Sequence, residues 1–165
     1  MAASDVLGAV CDRLVGGMMF HSDNADLCTL MGFKHLRKLH EEGYASDSRA
    51  QRKVRTMCLR MTNELPAQGR QERGRILDRW RSKSRVDIPH DERIATLKEA
   101  VRDWADWERD TAEIYDDAAK RLWDMGECHM SHVIAKMARS ASEEMATACD
   151  LMCRLEACGW DATIA

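Results

Sequence analysis

Proline occurs only twice in the 165 residues, at Pro66 and Pro89, and Phe, Trp and Tyr together make up 5%. That scarcity argues against a chain built from short strands and tight turns. No apolar run approaches the roughly 20 residues that a membrane-spanning helix needs, so no membrane partner is expected. The opening residues, Met1-Ala2-Ala3-Ser4-Asp5, have neither the basic region nor the apolar block of a secretory leader. A cytoplasmic location is therefore expected. No G-x-S-x-G elbow and no phosphate-cradling glycine loop occurs, so nucleophilic catalysis finds no support. The net charge of −3 supplies no global field to recruit nucleic acid. The seven cysteines (Cys11, Cys28, Cys58, Cys128, Cys149, Cys153, Cys158) are odd in number and contain no C-x-x-C pair. They are expected to be reduced and mostly buried, as small hydrophobes.

Helix formers are abundant: Ala, Leu, Met, Arg, Glu and Lys dominate, with eleven methionines. Four stretches carry helical periodicity. The first runs from Ser4, as N-cap, to Met31, with an inward stripe of Leu7, Cys11, Leu14, Met18, His21, Ala25 and Cys28. The second runs from Phe33 to Glu64, with Leu36, His40, Gly43, Asp47, Ala50, Val54, Met57 and Met61 inward; Gly43 and Ser46-Asp47-Ser48 are points where it could break, and Pro66 ends it. The third follows Pro89 and the acids Asp91 and Glu92, and its stripe is Ile94, Leu97, Val101, Trp104, Glu108, Thr111, Tyr115, Ala118, Leu122 and Met125. After Gly126 the fourth shows Met130, Val133, Met137, Ser140, Glu144, Ala148, Leu151 and Leu155, with Gly159 as its stop. The fold expected is one all-α domain over residues 1–165, an antiparallel four-helix bundle.

Each stripe carries an ionisable residue near its middle: His21, His40 with Asp47, Glu108 and Glu144. Such groups are costly to bury unless paired, hydrogen-bonded or placed on a metal. His21 precedes the Gly32 turn by eleven residues, and the equivalent position after it is Gly43, near His40; Glu108 and Glu144 each stand 18 residues from Gly126. If residues 66–89 cross the length of the bundle, the two turns lie at opposite ends. Eleven residues from one end and 18 from the other make 29, about one helix length, so all four side chains share one level. A simple up-down connection would separate the pairs by roughly 10 Å. The spacing therefore favours a long crossover between the second and third helices.

One inward carboxylate or histidine per helix, four long helices and a long second-to-third connection resemble the ferritin-like superfamily. The run Trp104, Trp107, Glu108, Thr111, Tyr115 is also similar to bacterial and phage members of that fold. The resemblance implies a metal-binding core with Glu on the first helix, Glu-x-x-His on the second, Glu on the third and Glu-x-x-His on the fourth. Here His21 stands at the first position, His40 lies near the second with Gly43 in place of a histidine, Glu108 matches the third, and Glu144 matches the fourth with Thr147 in place of its histidine. Two glutamates and two histidines suit one divalent ion (Fe, Mn or Zn) better than a di-iron pair.

Three functional expectations follow. The first is a non-catalytic, oligomeric or partner-binding bundle whose His21, His40, Glu108 and Glu144 form a hydrogen-bonded core without an ion. The second is a divalent-metal-binding protein using those four as ligands, with Asp47 or Tyr115 beside them. A third, a DNA-associating relative, rests on Arg70, Arg73, Arg75, Arg79, Arg81, Lys83 and Arg85, although a solvated strap pairing with acidic helix faces accounts for them. His129 and His132 stand at i,i+3, a spacing that could bind a transition metal, but two ligands alone make a weak site and the pair is expected to be simply exposed. Met145, Cys149 and Met152 lie beside the fourth stripe and suit either the core or a subunit contact, and a homodimer is the preferred assembly.

Overall fold

The computed structural model describes residues 2–63 and 75–161, which form an all-helical bundle with no strand among them. Four long helices, α1 (Ala3–Met31), α2 (Lys34–Thr62), α4 (His90–Asp124) and α5 (Cys128–Cys158), are joined by a short α3 (Arg75–Trp80) and a 3-10 turn (Arg85–Asp87). Expectations resting on Glu64, Pro66, Arg70 and Arg73 lie outside the described residues.

The helix ends follow local chemistry. α1 begins one residue before the expected cap: the Asp5 carboxylate accepts the Ala2 backbone N–H at 2.7 Å, so Ser4 lies inside the first turn. Gly32 ends α1 at φ 80°, and its N–H donates to the Cys28 carbonyl at 2.8 Å. α2 passes unbroken through Gly43 and Ser46–Ser48 and stops at Asn63, another left-handed residue, with φ 57°. Pro89 caps α4, with Asp91 and Glu92 in its first turn as expected.

The buried apolar side chains form two clusters. One gathers the end of α1 (Leu27, Met31), the start of α2 (Phe33, Leu36), the start of α4 (Leu97, Val101, Trp104) and the end of α5 (Leu151, Leu155). The other gathers the start of α1 (Leu7, Leu14), the end of α2 (Val54, Cys58), the end of α4 (Tyr115, Leu122) and the start of α5 (Val133, Ile134). Gly32 thus belongs with the first cluster and Gly126 with the second.

Four sequence expectations need correction, the first being Met125, the last residue of the third stripe, which is exposed rather than inward. The strap is not simply solvated: Ile76, Leu77 and Ile88 are buried in the first cluster. Its cations do pair in part, Arg79 with Glu99 and Arg81 with Asp78 at 3.0 Å. Ser140 is exposed and Ala141 is buried in its place. Only Cys11, Cys28 and Cys58 are buried; Cys128, Cys149, Cys153 and Cys158, all on α5, are exposed.

Candidate metal centre

Between the two apolar clusters lies a polar layer to which every long helix contributes. α1 supplies His21, α2 His40 and Asp47, α4 Glu108, and α5 Glu144. His21 and His40 are 1% and 0% exposed and Glu108 is 4% exposed, so the layer is interior rather than a surface cluster. Asp47 and Glu144 are half-buried at its edge.

The His21 imidazole is the hub. Its Nε2 lies 3.3 Å from Glu108 Oε1, 3.7 Å from Glu144 Oε2 and 3.8 Å from Asp47 Oδ2. Its other nitrogen, Nδ1, stands 3.0 Å from His40 Nδ1, so one ring donates and the other accepts. Gly43 lets the ring take this place: a Cβ there would meet the His21 ring atoms at 2.6–2.8 Å. Gly17 does the same for Asp47, whose Oδ2 would lie 2.2 Å from an added Cβ. His40 is wedged against Trp104 and Phe20, with ring centroids 5.1 and 6.0 Å away.

The donor atoms of His21, Glu108 and Glu144 all lie within 4.8 Å of one another. A tetrahedral ion with bonds of about 2.1 Å separates its ligands by about 3.4 Å. The spacings of 3.3, 3.7 and 3.8 Å around His21 Nε2 lie within a few tenths of an ångström of that value. Glu108 Oε1 is buried without a hydrogen-bond partner, an arrangement costly for a carboxylate unless a cation faces it. One imidazole nitrogen and two carboxylates form this donor set, which suits a borderline divalent ion such as zinc, manganese or iron, and Asp47 approaches His21 from outside it. His40 is not among the converging donors, because its Nδ1 faces His21 and its Nε2 meets no partner. It orients His21 instead.

The electrostatics follow from confinement. Burial pushes the Asp47 carboxyl up to about 7, opposed by His21 and reinforced by Glu108 and Glu144. Burial also raises Glu108 and Glu144, and Glu108 adds to the upward push on Glu144. Both imidazoles are held below their ordinary value by burial, and His21 depresses His40 further. Near neutral pH the histidines are therefore uncharged, which leaves lone pairs for a cation, while the carboxyls stand ready to exchange protons for one.

A cavity of about 50 Å³ opens on the layer, lined by Asp47, Glu108, Thr111, Tyr115 and Glu144 among others. Tyr115 is buried there, and its hydroxyl has no hydrogen-bond partner. Arg13, which the sequence stripes omit, stacks 3.5 Å over the Trp107 ring. It donates to Thr111 Oγ1 and the Trp107 carbonyl, both at 2.9 Å. Its charge favours ionised Glu108 and Asp47. Its only sequence signal is its place on α1 two turns before His21. His129, His132 and Thr147 are exposed and take no part in the layer. No family model, no curated protein and no solved structure matches this chain.

Proposed function

We propose that this protein is a ferritin-like bundle that binds one divalent transition-metal ion in its central layer. His21, Glu108 and Glu144 are its ligands, Asp47 is a fourth donor, and His40 aligns His21. The observation that carries this reading is Glu108 Oε1, buried without a hydrogen-bond partner 3.3 Å from His21 Nε2, with Glu144 and Asp47 converging on the same nitrogen.

The antiparallel arrangement with a long crossover is supported by the core. The start of α1 packs with the end of α2, and the starts of α2 and α4 share one cluster. Helices α2 and α4 then run in the same sense, which requires a connection spanning the bundle. The donors support the ferritin-like reading with an exchange of roles. Where the family pattern has a histidine at position 43, Gly43 makes room for the ring of His21, and Asp47 one turn further on brings a carboxylate from α2.

Three carboxylates and one dication leave a residual charge of −1, which the nearby Arg13 offsets. This composition suits a single-ion binding or sequestering role and gives no basis for a two-iron reaction. Calorimetric titration of untagged protein with zinc or manganese tests the reading. One equivalent should bind to wild type and none to Glu108→Gln/Glu144→Gln. Equal uptake by both proteins, or none by wild type, would leave the layer a metal-free hydrogen-bonded core.

A further inference from the structure

Cysteine is among the residues most often buried, and Cys11, Cys28 and Cys58 on α1 and α2 conform. On α5 the pattern inverts, with all four thiols exposed and none in a disulfide. Two of them, Cys149 and Cys153, stand one helical turn apart in the interior of the 31-residue α5. Their Cβ atoms are then about 5–6 Å apart on one ridge. Met145 lies one turn before Cys149, and Met152 lies three residues after it; both are half-buried beside the thiols. Met152 packs on the first apolar cluster, which fixes its stem. Four sulfur side chains thus follow one stripe of α5, and Glu144 projects from a different side of the same helix.

We propose that Cys149 and Cys153 form a thiolate site on the outer face of α5 for one soft monovalent ion of the copper(I) class, flanked by the thioethers of Met145 and Met152. With metal–thiolate bonds of about 2.3 Å, two sulfurs on one ion lie at most about 4.6 Å apart. Side-chain rotation closes the gap from the Cβ spacing to that distance without moving the helix. Thiolate and thioether donors select soft ions, whereas the imidazole and carboxylates of the central layer select borderline ones. Binding releases two thiol protons to solvent and leaves the ion monovalent, so no oxidant or reductant enters the step. The site stands independently of the central layer.

An anaerobic titration with copper(I) against a chromophoric chelator tests it. Wild type is expected to withdraw one equivalent per chain and to develop thiolate-to-copper absorption in the near ultraviolet. Cys149→Ser/Cys153→Ser should lose both signals, and Cys128→Ser/Cys158→Ser should keep them. Thermal melts check that each variant is folded, as expected because all four positions are exposed. Equal uptake by Cys149→Ser/Cys153→Ser, no uptake by wild type, or one ion per two chains with dimerisation would each overturn the single-chain site.

Discussion

At Gly43 the missing Cβ lets the His21 ring lie against α2, because an added methyl would sit 2.6 Å from the imidazole. The ring is enclosed and cannot retreat. At Gly17 the conflict is with the end of Asp47, a half-buried side chain that can turn outward. Alanine in a helix interior gains about 1 kcal/mol over glycine, whereas overpacking costs about 1–3 kcal/mol. Gly43→Ala should therefore destabilise the protein by up to about 2 kcal/mol in urea denaturation, and Gly17→Ala should be neutral or stabilising; the reverse order would contradict the packing described. In the proposed site His40 would act on the ion through His21, so His40→Phe should weaken divalent-ion affinity about 10–100-fold, and His40→Gln should recover part of it. Unchanged affinity in a folded His40→Phe would remove the orienting role. Asp47 also gives the layer a pH signature. Its folded pKa of about 7 lies above the ordinary aspartate value of 3.8. The folded state therefore holds an extra proton between these values, and stability is lost as pH rises through that window. Relative to Asp47→Asn, chelator-treated wild type should lose on the order of 2–4 kcal/mol between pH 4 and pH 8. A pH-independent difference would mean that the carboxyl is not confined as described.

Among the elements, α3 is the one whose existence depends on what it covers. Six residues are too few for a helix to persist alone in water, so burial of Ile76 and Leu77 in the first apolar cluster holds it. Ile76→Ala should cost about 2–4 kcal/mol, measurable by thermal or urea melts; a loss under 0.5 kcal/mol would show that the segment is merely draped over the bundle. The four long helices were legible in the sequence to within a residue or two, because three-four spacing of Leu, Val and Met survives any choice of neighbour. α2 was less so. Gly43 and Ser46–Ser48 read as a break because propensity ignores packing, and close contact with His21 turns the glycine into a requirement of the helix. Ser140 was misplaced because its stripe position borders the cavity beside Glu144, where the neighbouring helix does not cover it. For the α5 cysteines, composition alone could not assign a face: Cys149 follows the buried Ala148, and one step around the helix separates interior from surface.

For the whole molecule, two apolar clusters and the layer between them follow from one relation between turns and mid-helix residues. The spacing of His21, Glu108 and Glu144 from Gly32 and Gly126 anticipated their common level without any knowledge of side-chain direction. Directions were beyond its reach. The sequence placed Asp47 beside the layer but could not tell that His40 faces His21 rather than the carboxylates, which depends on which way an imidazole turns against Gly43. Nor could it show Arg13 folded over Trp107. The central claim is that His21, Glu108 and Glu144, with Asp47 beside them, enclose an ion. Crystals grown with zinc or manganese and measured at the metal absorption edge test it most directly. The account predicts one anomalous peak per chain within about 2.0–2.2 Å of His21 Nε2 and of oxygens from Glu108 and Glu144. A metal-loaded crystal with no peak in the layer, or with its only peaks on surface residues such as His129 and His132, would contradict it.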